Sequence, residues 1–247
     1  MADKLAAFYG KVHIFQRDAN GNPVNGAFIG DVSKFGVSQT AQTSKHNESY
    51  TGFNALTAVV TTSRDMMIDI DAHDYALKNL ARYMYATTTQ IAPGTGHVQS
   101  LGAVAIGETK LLDHINIDPT GAVIVTSSST PLVENVDYTI ERGTGTFVAL
   151  KALTAVSITY DYLGFGSAAM FTSPDNTDYY VRLSGFNKVD GKPVVVDFYR
   201  VRFEPIQNLG LIDKNVGSYQ VKGDVLWDST KPVNGLMGSF ASIRQVD

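Results

Sequence analysis

Three carboxylates and a histidine crowd into Asp69-Ile-Asp71-Ala-His73-Asp74, the stretch of this chain densest in side chains able to hold a hard cation. The same residues also suit the start of a helix. Asp71 serves as N-cap and Asp74 follows three residues on, where a carboxylate favours the positive end of the helix dipole. Asp69 then projects outward from a strand, between Ile68 and Ile70. A strand running into a capped helix accounts for the three carboxylates without a ligand and is the stronger reading. Elsewhere His13, His46, His73, His97 and His114 are scattered, with no pair at ligand spacing, and there is no cysteine to supply a thiolate. Gly94-Thr-Gly96 and Gly143-Thr-Gly145 lack the third glycine and the strand-to-helix setting of a dinucleotide loop; the second reads as a hairpin turn. No phosphate-binding lysine loop and no serine elbow occurs. Ser127-Ser-Ser129 reads as a loop, with a glycan-facing edge as the alternative. These residues predict neither an enzyme nor a cofactor or metal site.

Arg200 and Arg202, with Arg182 in a nearby strand, form the other chemically suggestive set. They could contact phosphate, but alternating arginines in strands more often pair with carboxylates of a neighbouring strand or subunit. The formal charge of −4 and pI near 5.7 favour pairing, because a nucleic-acid reader carries a basic footprint. These arginines lie in Gly191–Pro205, a long β run framed by glycine and proline. Alternation puts Val195, Asp197, Tyr199, Val201 and Phe203 on one face, and Val194, Val196, Phe198, Arg200, Arg202 and Glu204 on the other. Neither face is cleanly polar, so both are expected to be covered, in part by something outside the chain.

The elements that must position these residues are mostly strands. They are expected at 11–17, near 27–32 and 36–42, at 58–63, 66–70, 122–126, 136–142, 146–150, 156–162, 178–185, 193–204 and 217–227. One amphipathic helix is predicted over 74–85. Leu77, Leu80, Ala81 and Met84 form its apolar stripe, and Lys78, Asn79 and Arg82 face away. Residues 87–97 read as a loop or linker. Gln42–Gly52 reads as a long polar segment, mobile in the isolated subunit and ordered on contact with a neighbour. Only 18% of residues are charged, against roughly 25% in typical usage, which eases packing against copies of the same chain. Met1–Gly10 has no apolar targeting core, and no segment approaches the ~20 apolar residues of a membrane span. The expectation is a soluble product, not inserted in a membrane.

Several pieces, taken in order, are similar to the major tail tube protein of long-tailed bacteriophages. They are Gly10-Lys-Val-His-Ile-Phe15, Phe28-Ile-Gly-Asp-Val-Ser-Lys-Phe35, Lys45–Gly52, Ile68-Asp-Ile-Asp71 running into the helix, Val136-Asp-Tyr-Thr-Ile140, Asp190–Phe203 and Leu209-Gly-Leu-Ile212. The resemblance covers most of the chain. It implies a mainly β fold of two packed antiparallel sheets flanked by one α-helix. The core is divided as 1–112 and 164–247, with a small inserted β module, 113–163, decorating the outside. It further implies a homo-hexamer stacking into a hollow tube, made in the host cytoplasm and built into the virion tail. Partners would be the tape measure, the tail terminator and a baseplate or tail tip, with DNA passing through without specific binding. Lys45, His46, Glu48, Tyr50, Arg200 and Arg202 are the expected contacts between rings or subunits. A carbohydrate- or receptor-binding β-sandwich of a virion is the alternative.

Overall fold

The computed structural model describes residues 5–173, 177–212, 214–231, 233 and 238–246; of the N-terminal stretch read above, Met1–Lys4 lie outside these. The chain is mainly β, with several antiparallel sheets and a single short helix. Its strands are β1 (Phe8–Arg17), β2 (Pro23–Phe28), β3 (Val32–Asn47) and β4 (Leu56–Ala72), followed by α1 (Leu77–Tyr83). Then come β5 (Thr87–Ile91), β6 (Gly94–Val104), β7 (Thr109–Leu111), β8 (Ile124–Ser127), β9 (Thr130–Pro131), β10 (Tyr138–Glu141), β11 (Thr146–Ala149) and β12 (Leu153–Tyr162). The last are β13 (Phe165–Ala169), β14 (Tyr179–Asn187), β15 (Pro193–Phe203), β16 (Tyr219–Val225) and β17 (Ala241–Gln245). They divide into two compact units, residues 1–87 with 169–247, and residues 88–168.

The first unit is one eight-stranded sheet in the order β2-β1-β14-β15-β16-β4-β3, with β17 beside β15. It does not lie flat. The Phe35 ring on β3 sits 5.7 Å from the Phe198 ring on β15. Three strand spacings would put them ~14 Å apart in a flat sheet. The sheet therefore folds over on itself, so the expected pair of packed sheets is, in this unit, one curled sheet. Val12, Ile14, Ile68, Ile70, Val181 and Val221 fill its inside. The link between β2 and β3 enforces the curl. These strands are the two ends of the sheet order, yet only Ile29-Gly30-Asp31 joins them. The Ile29 N–H donates to the Val12 carbonyl of β1 (3.2 Å), and the Asp31 carbonyl accepts from His73 N–H just past β4 (3.0 Å). Three residues reach ~10 Å at most, so the two ends of the sheet must meet there. Gly30 has φ +86°, and a Cβ on it would lie 2.3 Å from Asp74 Cβ.

Strand β15 keeps the expected run but not the expected faces. Tyr179 pairs with Val201 and Val181 with Phe198, so Tyr180 alone opposes both Tyr199 and Arg200. This β-bulge switches the alternation. Phe198, Val201 and Phe203 all enter the core, while Asp197, Tyr199, Arg200 and Arg202 share the outer face.

The helix is shorter than predicted and differently turned. Strand β4 continues to Ala72, paired on one side with Val32 and on the other with Tyr219, and this double ladder holds Asp71 in the sheet. Asp71 is thus no helix cap. Ala76 takes that position without a side-chain bond, and Asp74 Oδ1 accepts from the Ala76 N–H at 2.8 Å. Inside lie Asn79, Ala81 and Tyr83, with Leu80 partly buried, while Leu77 is exposed. Asn79, expected to face away, donates to the Ile29 carbonyl and to Asp74. Tyr83 meets Phe203 edge-on, and burial pushes its hydroxyl up to about 12.

The second unit is a sandwich of a four-stranded sheet, β6-β12-β8-β9, on a three-stranded one, β10-β11-β7, around Val125, Tyr138, Phe147, Val156 and Ile158. Strands β5 and β13 pair where the chain enters and leaves it. The unit begins at residue 88 rather than 113, because β6 pairs with β12 and β7 with β11. The breaker-rich stretch 87–97, read as a loop, is thus largely strand. Gly94 allows it: a Cβ there would lie 2.5 Å from the Tyr162 ring, so glycine marks a close approach within the sheet. Gly143-Thr-Gly145 does turn the β10–β11 hairpin, with Gly145 at φ +68°.

Two of the scattered histidines meet in this unit. The His97 ring, on β6, lies 4.5 Å from that of His114, which stacks on Tyr162 at 3.8 Å. His97 Nε2 is 3.2 Å from Asp113 Oδ2, and His114 Nδ1 is 3.2 Å from the Tyr160 hydroxyl. Desolvation, and then the neighbouring His97, hold His114 below its ordinary pKa of 6.5.

Two expectations follow from these constraints. Gly30→Val should lower the stability of the first unit by at least the ~1–3 kcal/mol of a left-handed non-glycine residue, read from denaturant midpoints. Gly191→Ala, at φ +72° in open space, carries only that backbone cost and serves as the reference. For His114 the folded pKa is depressed, so its contribution is present above pH 6.5 and is lost as pH falls below it. The melting temperature of the second unit should fall on acidification from pH 7.5 to 5, and less so in His114→Gln; an equal fall in both would disprove the assignment to His114.

Candidate assembly interface

Strands β3 and β4 run on past the sheet. The last residue of β16, Val225, pairs with Met66, but the β3–β4 ladder continues to Asn47 opposite Leu56. Beyond Met66 the two strands form a ribbon with no further strand on either side among the described residues. Val37–Asn47 and Leu56–Thr62 are exposed throughout, including Val37, Leu56, Val59 and Val60. Of the polar segment Gln42–Gly52, expected to be mobile in the isolated subunit, Gln42–Asn47 are in the ladder. Thr43 favours strand, but the polar residues around it bury nothing, so no alternation marked the strand. An isolated two-stranded ribbon is marginal in water, and an outer edge this long is an open template for pairing.

The tip is organised by Glu48, which is itself buried. Its carboxylate accepts from the Tyr50 N–H at 2.9 Å, the Thr51 N–H at 2.8 Å, the Thr51 hydroxyl and, at 3.4 Å, the Ala55 N–H. The Glu48 N–H closes the loop on the Ala55 carbonyl. These bonds, the Thr51 hydroxyl first, hold the carboxyl down at about 2. Folding around that carboxylate leaves Tyr50 84% and Phe53 87% exposed. Lys45 and His46 lie on the same arm, opposite Val59 and Ala58. The arm therefore brings together four of the expected contact residues. Phe53 was missed; its place after Thr51-Gly52, in a loop with little else apolar, was the available signal.

Arg200 and Arg202 lie apart from the arm, on the outer face of β15. Both reach Asp178, Arg200 through Nε at 2.6 Å and Arg202 through Nε at 2.9 Å. Arg182 Nε meets the 1%-exposed Asp197 at 2.5 Å, and Arg244 Nη2 binds the other oxygen of that carboxylate. Each aspartate thus serves two arginines of the same chain. Asp178, Asp197 and Arg244 were not identifiable as partners because strand register and the bulge bring them together. The Asp69–Asp74 stretch is dispersed: Asp69 takes Lys34 Nζ at 2.6 Å and Asp74 turns to the helix. Among the described residues no three His, Asp or Glu side chains converge as metal ligands, and no helix is long and apolar enough to cross a membrane.

The chain belongs to the family described as Protein of unknown function UCP028589, whose match spans residues 5–244. No curated protein matches it in sequence. The match takes in both units, the arm and the arginine pairs. Glu48→Gln should loosen the tip alone. Amide exchange at Tyr50, Thr51 and Ala55 should rise at least tenfold, with the amides of Ile68 and Val221 unchanged. In the wild type the depressed carboxyl makes this protection complete above pH 4.5 and lost as pH falls toward 2. Unchanged exchange in the variant would contradict the role given to Glu48.

Proposed function

We propose that this member of the family is a self-assembling structural subunit, with six copies closing a ring and rings stacking into the hollow tail tube of a long-tailed phage. One observation carries the reading: the β3–β4 arm presents exposed apolar residues on a ribbon that no further strand among the described residues pairs. Contact with further copies would bury those side chains and pair the free edge of β3, completing a structure that the single chain leaves open. The ordered resemblance to tail tube proteins agrees with this. On this reading the chain is made in the host cytoplasm, ends in the virion tail, and meets the tape measure, the terminator and the baseplate or tip.

Charge is distributed in keeping with a conduit. Counted along the sequence, residues 88–168 hold seven carboxylates and three cations, which accounts for the whole formal −4. The sheet unit, which would wall the bore, is formally balanced. A balanced wall lets DNA slide, whereas each added cation facing the bore would recruit a phosphate. The acidic second unit would decorate the outside. A carbohydrate-binding role is less well supported, since Tyr162 of that unit is covered by His114 on one side and approached by Gly94.

Light scattering across concentration with negative-stain microscopy tests the proposal; rings of six and tubes are expected, and a monomer at every concentration would refute it. Replacing Ala41–Arg64 by a two-residue turn should leave the circular dichroism of a β fold while abolishing tubes.

A further inference from the structure

The outer face of the sheet is charged in opposite senses at its two ends. At the β1/β14 end, Val12, Ile14 and Val181 point into the core, so Lys11, His13 and Arg182 point out. There Lys188 Nζ lies 5.0 Å from the centre of the Tyr9 ring and Lys11 Nζ 5.9 Å from that of Phe28. Tyr9, Phe28 and Phe186 are each about half exposed, and Tyr9 stacks on Phe186. Arg182 and Arg244 share one carboxylate, the buried Asp197. The lysines are held down over aromatic rings rather than spread into solvent. The result is a firm, cationic, half-apolar platform.

At the β16/β4 end the balance reverses. Ile68, Ile70 and Val221 point in, so Asp69, Asp71 and Asp224 point out, with Asp65 at the base of the arm. Lys34 and Lys222 oppose them, and Arg202, shared with Asp178, lies opposite Asp224 in the ladder. Lys34 is committed to Asp69, whose Oδ1 still has no hydrogen-bond partner among the described residues. Both ends belong to a unit whose formal charge sums to zero.

We infer that the cationic aromatic platform of one copy seats the acidic β4 side of the next. The inference rests on the assembly reading above and names the lateral contact within it. Opposite charge at two separate places on the outer face lets the platform of one copy meet the acidic side of the next, and such a head-to-tail contact is the kind that closes rings. The occupant is a second copy of this chain, because that copy carries the complementary carboxylates.

The test uses two full-length variants. Lys11→Glu/Lys188→Glu reverses the platform without touching the arginines on Asp197, and Asp65→Lys/Asp71→Lys reverses the other end. Each alone should raise the concentration needed for rings at least tenfold, while circular dichroism stays that of the wild type. An equimolar mixture should restore rings, because the unaltered acidic side of the first fits the unaltered platform of the second, and the two reversed surfaces fit each other. Rings of each variant alone at the wild-type concentration would overturn the lateral contact and leave assembly standing. Loss without rescue in the mixture would overturn it too. A wild type that never assembles would instead remove the reading on which it rests. Salt-sensitive binding of duplex DNA by the wild type, lost in Lys11→Glu/Lys188→Glu, would assign the platform to nucleic acid and overturn the inference.

Discussion

Three residues, Ile29-Gly30-Asp31, tie together the two strands that the hydrogen-bond ladder places farthest apart. A link this short leaves the seven-strand path no choice but to curl until its ends meet, and a right-handed sheet twist makes that curl easy. Much of the first unit follows. The inner face becomes a closed core, which brings Phe35 onto Phe198 across three strand spacings. Helix α1 needs only seven residues to finish the cover, and Asn79 is drawn inward to satisfy the carbonyl of Ile29. Gly30 bears the constraint, since its backbone is left-handed and its missing side chain makes room for Asp74.

A curled sheet has an outer face, and the bulge at Tyr199–Arg200 decides what that face displays. Without the extra residue Val201 and Phe203 would point outward and the arginines would be buried. With it, the apolar residues join Phe198 inside, and four arginines share two aspartates outside. Burying Asp197 between two guanidiniums is sustainable because both of its oxygens are engaged. The same arrangement leaves positive charge over on that face, which gives one end of the sheet its polarity.

Curling also leaves a remainder. Strands β3 and β4 are longer than the sheet they belong to, and what projects is a ribbon with apolar side chains, two open faces and a tip set by the Glu48 carboxylate. Such a ribbon has little to hold it alone, so it makes physical sense as half of a contact. The second unit has its own two-sheet core and carries the whole net formal charge.

Local pattern alone determined that the chain is mainly β, the run at 193–204, the glycine hairpin at 143–145 and the alternation of Val156, Ile158 and Tyr160. Each depends on neighbours within a few residues. The pairing of the arginines with carboxylates was also legible, but not which carboxylates, since Asp178 and Asp197 reach them only through strand register. Where pattern misled, a long-range contact had outweighed a local preference. Asp71 is a good helix cap, but a strand on each side keeps it in the sheet. Pro93, Gly94 and Gly96 look like a linker, yet β12 makes strand of that segment because glycine admits the Tyr162 ring. His97 and His114 stand seventeen residues apart and become neighbours only in the folded unit. Pairing, register and the bulge are properties of segments far apart in the chain, so tertiary structure alone decided which faces are buried, which charges meet and which edge of the sheet is left open.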